Sequence, residues 1–264
     1  MAGNAYDDLM TADRNKVLFI YLTAGNADET DVRHWQSREN GARASVRHIL
    51  RNIRRHQHAE THEVRNYNGR PLECFSIDTV SSIFLRIPDV VKGPSALQQL
   101  EKGISVTSLG PAGNTFLNWD DFISTLVEIV KTEGMDQFDT TWFNAIKNNR
   151  SSGHRDHKLT AKAVAEVAAI IANSHPNKIV KIAWFEGTAR KIFTHDENIH
   201  KRVAALLAYE KEILKQFPDG THCTLSEPLI NARKLLLKEK YTSQCVHPKP
   251  TSLTPPRTNA LRQS

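Results

Sequence analysis

The chain has 264 residues, 35 Lys and Arg against 29 Asp and Glu for a formal charge of +6, with 39% apolar and 24% charged residues. That length allows one large α/β domain or two small ones, each with a real core, and the composition is that of an ordinary globular protein. No apolar run approaches the roughly 18 residues that a membrane-spanning helix needs, and the opening "MAGNAYDDLMTADRNK" has no apolar signal region, so the expected compartment is the cytoplasm. Cys74, Cys223 and Cys245 are scattered and form no C-x-x-C pair, which argues for reduced thiols and no disulfide framework.

In chain order, "KVLFIYLTAG" (16–25) is a continuous apolar run ended by Gly, the pattern of a buried and parallel strand. "SRENGARASVRHILRNIRR" then carries Ala42, Val46, Ile49, Leu50 and Ile53 at helical spacing. "TVSSIFLRIPD" (79–89) predicts a second strand, stopped by Pro88. "NWDDFISTLVEIVKTEG" opens on a capping Asn118 and closes on Gly134, a well-signalled helix. A further helix is predicted from about Asp156 to Asn173, a strand over 178–187, and a long amphipathic helix over 198–217. The polar tail "SQCVHPKPTSLTPPRTNALRQS" holds four prolines and reads as disordered from about 242. Strands alternating with helices predict an α/β fold with a mostly parallel sheet. Sites in such sheets lie beyond the carboxyl ends of the strands, where "LTAGNADE" and "PDVVKG" fall.

Much of the positive charge lies in "RASVRHILRNIRRHQH" (43–58). Such a patch is able to meet phosphate groups, but no aromatic interleaves with the arginines, and a solvated helix face is the plainer reading. His56, His58 and His62 lie in the same polar region and read as a surface cluster. "SSGHRDHKLTAKAV" is different. His154 and His157 are three apart at a helix start and share a face, with Asp156 in the first turn where the helix dipole favours a carboxylate. Imidazole binds divalent metals, and a nearby carboxylate fixes its tautomer. The alternative is a solvated helix cap.

Together these stretches resemble the PIG-L or LmbE-like family of zinc-dependent de-N-acetylases. "VLFIYLTAGNADE" is similar to the family's second strand and loop, "SRENGARAS" to the start of the following helix, and "SGHRDHKLTAKAV" to its His-x-Asp-His motif. "LRIPD" and "HKRVAALLAYEKEI" match more loosely. The resemblance implies a Rossmann-like three-layer sandwich over residues 1–220, followed by an extension over 221–264. It implies Zn2+ as cofactor and an N-acetylated sugar conjugate or small amide as substrate. His157 would be a metal ligand, His154 the catalytic imidazole, Asp156 its orienting carboxylate, and Arg38 and Asp89 substrate-binding residues.

The family's Ala-His-x-Asp-Asp signature, which carries two further ligands and the general base, has no counterpart here. The nearest stretch is "AYDDL" (5–9), but no apolar run precedes Tyr6. Only eight residues separate Asp8 from Val17, fewer than the roughly 10–12 that a parallel crossover needs. The expectation is a domain lacking its first strand, so the metal site is incomplete and activity is in question. Two readings compete with hydrolysis: an inactive homologue that binds a glycan or a protein, and a basic nucleic-acid-binding module. Nucleic acid is the less favoured partner.

Overall fold

The computed structural model describes residues 15–26, 31–53, 59–89, 93–134, 138–146, 155–175, 177–185 and 199–218. The expected tail and extension from 221 lie outside the described residues, as do Tyr6, Asp7, Asp8 and His154. Strand β1 (Val17–Thr23) leads to helix α1 (Val32–Arg47), whose first turn is capped by Asp31 accepting from the Arg33 backbone N–H. The helix runs on into a π-helical turn, His48–Ile53. Strands β2 (Thr61–Tyr67) and β3 (Arg70–Ile77) then form a hairpin, and β4 (Val80–Ile87) follows directly.

These four strands form one sheet in the order β1-β4-β3-β2. β1 and β4 are parallel, whereas β4–β3 and β3–β2 are antiparallel. A two-stranded antiparallel ribbon joins β5 (Val106–Thr107) and β6 (Thr115–Phe116), and β7 (Thr140–Ile146) pairs in parallel with β8 (Ile179–Phe185). The protein is therefore mixed α/β, and the expectation of a mostly parallel sheet is corrected. The cause is the hairpin over 61–77. Asn68 and Gly69 both have positive φ, 50° and 78°, the backbone of a tight turn that returns the chain antiparallel.

Helices cover both faces of the four-stranded sheet. Alternate residues of β1 part company: Leu18, Ile20 and Leu22 pack into one core, Val17, Phe19 and Tyr21 into another. The first core is closed by α2 (Ala96–Glu101), α3 (Trp119–Thr132) and α4 (Arg155–Ser174), which contribute Leu97, Phe122, Leu126, Leu159 and Ile171. Phe143 of β7 and Val180 of β8 pack against the same core. The second is closed by α1, the π-helical turn and α5 (Ile199–Gln216). α1 and α5 approach closely at Gly41, where a Cβ would stand 2.8 Å from the Tyr209 carbonyl oxygen. Ser45 Oγ donates to the Ala205 carbonyl at 2.6 Å in the same contact.

The carboxyl end of α3 is held by a buried charge. Glu133 accepts from Tyr67 Oη and Arg65 Nη1, both at 2.5 Å, and pairs with Lys16 Nζ at 3.3 Å. Burial alone would push its carboxyl up, but the hydrogen bonds from Tyr67 and Arg65 and the charges of Lys16 and Arg65 outweigh that and hold it below its usual value. With the folded pKa below the unfolded one, its contribution is complete above the ordinary carboxylate range and is lost as pH falls through the lowered value. Glu133→Gln should cost about 2 kcal/mol near neutral pH. Urea unfolding at neutral and acid pH should find this cost shrinking steadily toward low pH.

Candidate functional site at the carboxyl ends of β1 and β4

β4 carries one extra residue against β1. Tyr21 lies opposite Phe84, but Thr23 lies opposite Ile87, so Leu85 and Arg86 together face Leu22. Arg86 takes up the irregularity with φ of +55°, a conformation that costs a non-glycine residue about 1–2 kcal/mol. Its guanidinium reaches Glu39 of α1 through two hydrogen bonds, Nε to Oε2 at 2.9 Å and Nη2 to Oε1 at 2.7 Å. It also donates to Glu73 of β3 and lies 4.8 Å from the centre of the Trp35 ring. Burial works against its charge, but the Glu39 and Glu73 carboxylates outweigh it and raise the Arg86 pKa. A bulge beside a strand end commonly re-aims a side chain toward a site.

Just beyond, Asn26 ties three segments together. It is buried, its Oδ1 accepts the Asp89 backbone N–H at 2.7 Å, and its carbonyl meets His34 Nδ1 at 3.0 Å. The carbonyl only accepts, so His34 carries its proton on Nδ1. Arg38 lies one helical turn further along α1, against Gly25. Gly25 has φ of +67°, and a Cβ there would stand 3.0 Å from Arg38 Nη1. Arg38 and Asp89 thus occupy the same end of the parallel pair.

The start of α4 touches the chain that follows β4. Arg155 Nη1 donates to the Gly93 carbonyl at 3.3 Å and to Gln98 Oε1 at 3.4 Å, in the segment that follows β4. Asp156 is buried and His157 half-buried, while His154 lies outside the described residues. Asp156 and His157 are adjacent donors, but a catalytic zinc centre takes three protein ligands. Among the described residues no group of three or more His, Cys, Asp or Glu side chains is gathered to hold a metal. Asp156 and His157 would supply two of those ligands at most, and no third stands with them among the described residues.

Between the sheet, α1 and α5 lies a cavity of about 270 Å³. Tyr21, Trp35, Phe84 and Tyr209 supply its aromatic walls, and Arg38, Glu39 and Arg86 its charged groups. Tyr21 and Phe84 stack with ring centres 4.6 Å apart and planes 8° from parallel. Burial, reinforced by the neighbouring Tyr209, pushes the Tyr21 phenol well above the ordinary tyrosine range, so it stays protonated. Sequence reasoning did not single out Tyr21, Asn26, His34, Glu39, Arg86 or Tyr209. The "SRENG" stretch pointed to the region of Glu39, and no local signal pointed to Arg86.

The basic patch is partly neutralised from within. Glu60 accepts from Arg43 Nε at 2.9 Å and from Arg47 Nη1 at 2.8 Å, and the Arg43 guanidinium lies 3.7 Å from the centre of the Phe75 ring. His62 stacks on the same ring at 4.4 Å and meets Glu73 at 3.3 Å. Arg54, Arg55, His56 and His58 lie outside the described residues. No helix among the described residues is long and apolar enough to cross a membrane.

No family model, curated protein or solved structure matches the chain. The geometry makes its own demand on Asn26. Asn26→Ala removes the acceptor for the Asp89 amide and should cost about 1–2 kcal/mol in thermal or urea unfolding. The Asp89 amide should also exchange with solvent faster than in the parent protein, while amides inside β3 keep their protection.

Proposed function

We propose that this protein is a homologue of the zinc-dependent de-N-acetylases, on a Rossmann-like frame. In this reading it acts in the cytoplasm on an N-acetylated sugar conjugate or a small amide. The observation that carries the reading is the convergence at one sheet end: the Asn26–Asp89 hydrogen bond and the Arg38–Gly25 contact, with Arg155 joining the start of α4 to the segment after β4. Arg38 donates to the hydroxyl and carbonyl oxygens of the sugar, and Asp89 accepts from its hydroxyls. His157 is the metal ligand contributed by α4, His154 the catalytic imidazole, and Asp156 the carboxylate that orients it.

The described donors supply two of a zinc centre's three ligands at most. By themselves these residues bind and orient. That favours a second reading, in which the same end of the sheet captures an N-acetylated glycan without cleaving it. A nucleic-acid-binding role is less well supported, because Arg43 and Arg47 are paired with Glu60.

The test uses the full chain, an N-acetylglucosaminyl conjugate and added Zn2+, with acetate release as readout. Hydrolysis predicts release that a chelator abolishes and that His157→Ala lowers by about 100-fold or more. Arg38→Ala and Asp89→Asn should each raise KM by about tenfold. Saturable binding without acetate, weakened by the same two substitutions, would select the glycan-binding reading. Neither release nor binding would sink both.

A further inference from the structure

Strand β2 ends the four-stranded sheet, and no strand among the described residues pairs with its outer edge. The hairpin decides which backbone groups that edge presents. Tyr67 and Arg70 flank the two-residue Asn68–Gly69 turn, so they form a hydrogen-bonded pair, and bonded and non-bonded pairs alternate from there along the ladder. Pro71, which has no N–H, accordingly falls opposite Asn66 at a non-bonded position. Thr61, Glu63, Arg65 and Tyr67 turn their N–H and C=O groups to β3. His62, Val64 and Asn66 turn theirs outward. Val64 is the middle residue of Thr61–Tyr67, and it is 61% exposed. An open edge of this kind is a template for another strand.

Charged residues usually protect such an edge, but in β2 their order is self-complementary. A second copy of β2, laid antiparallel with a twofold axis at Val64, sets Val64 against its own copy and His62 against Asn66. These are the outward residues, so each pair exchanges two backbone hydrogen bonds, about six in all. Glu63 then falls opposite Arg65 in the non-bonded pairs, where side chains come closest. A slip of one residue sets outward residues against inward ones. A slip of two in either direction sets Glu63 against Glu63 or Arg65 against Arg65. Arg65 already donates to Glu63 and Glu133 of its own chain, so the charges select the register more than they supply attraction. We propose that this protein self-associates through the outer edge of β2, joining two four-stranded sheets into one across a twofold axis. A seven-residue edge is a small contact, at or below the roughly 1,200 Å² that marks the weak end of specific interfaces. The dimer therefore forms at micromolar protein and parts on dilution. It does not rest on the deacetylase reading, because Arg38, Asp89, Asp156 and His157 all lie away from β2.

The experiment is sedimentation velocity of the full chain from about 1 to 300 µM, a range that brackets a weak interface. The average mass should rise from monomer toward dimer. Val64→Lys and Val64→Glu each place like charges against one another on the axis, and each should weaken association by about tenfold or more. Both change an exposed side chain and should leave the circular dichroism spectrum unaltered. An equimolar mixture of the two variants should associate at least tenfold more tightly than either alone, because opposite charges then meet where residue 64 faces its copy. A parent chain that stays monomeric over the whole range would overturn the proposal, and a segment of the same chain covering the edge would produce that result. So would a dimer that both substitutions leave intact, or a mixture that stays monomeric.

Discussion

One extra residue in β4 decides how the first helix meets the sheet. The parallel pairing of β1 and β4 runs in register to Tyr21 and Phe84 and then slips by one. The slip puts Arg86 in a left-handed conformation and sends its guanidinium to α1, β3 and the Trp35 ring. The backbone cost is of order 1–2 kcal/mol, and a bidentate, charge-assisted pair of this kind offsets it. Because Glu39 is on α1 and Glu73 on β3, the same arginine fixes the helix against the sheet and the bulge within it. Arg38 and Trp35, the neighbours of Glu39 on α1, owe their positions to that contact.

The elements with strong local signals were legible in the sequence. α3 begins after Asn118, whose side chain accepts the Asp121 amide. α4 (Arg155–Ser174) and α5 (Ile199–Gln216) fall within one or two residues of the spans that periodicity predicts. The apolar runs at 16–25, 79–89 and 178–187 are strands β1, β4 and β8. The hairpin over 61–77 was missed although its Asn-Gly turn is a strong local signal. Its first strand is mostly exposed and polar, "THEVRNY", and lacks an apolar alternation to draw attention. That omission alone turned a mixed sheet into an expected parallel one.

The candidate site was legible only in part. Arg38, Asp89, Asp156 and His157 came from motif resemblance, whereas Asn26, Glu39 and Arg86 matter through contacts between residues far apart in sequence, such as Asn26 with Asp89 and Arg86 with Glu39. No window of local sequence contains such pairs. The basic stretch teaches the complementary lesson. Its charge is visible in any composition count, but Glu60 lies 13 residues beyond Arg47 and takes hydrogen bonds from both Arg43 and Arg47, so formal charge overstates what the surface presents.

The meeting of α1 and α5 at Gly41 also bears on how fast the cavity changes shape. Backbone stands close to backbone there, with the Tyr209 carbonyl 2.8 Å from where a Cβ would be. A contact of that kind does not yield by side-chain rotation. It opens only when a whole helix shifts, a motion of microseconds or slower, whereas a surface side chain reorients in roughly picoseconds to nanoseconds. That wall of the cavity therefore changes shape only as fast as the helix pair moves.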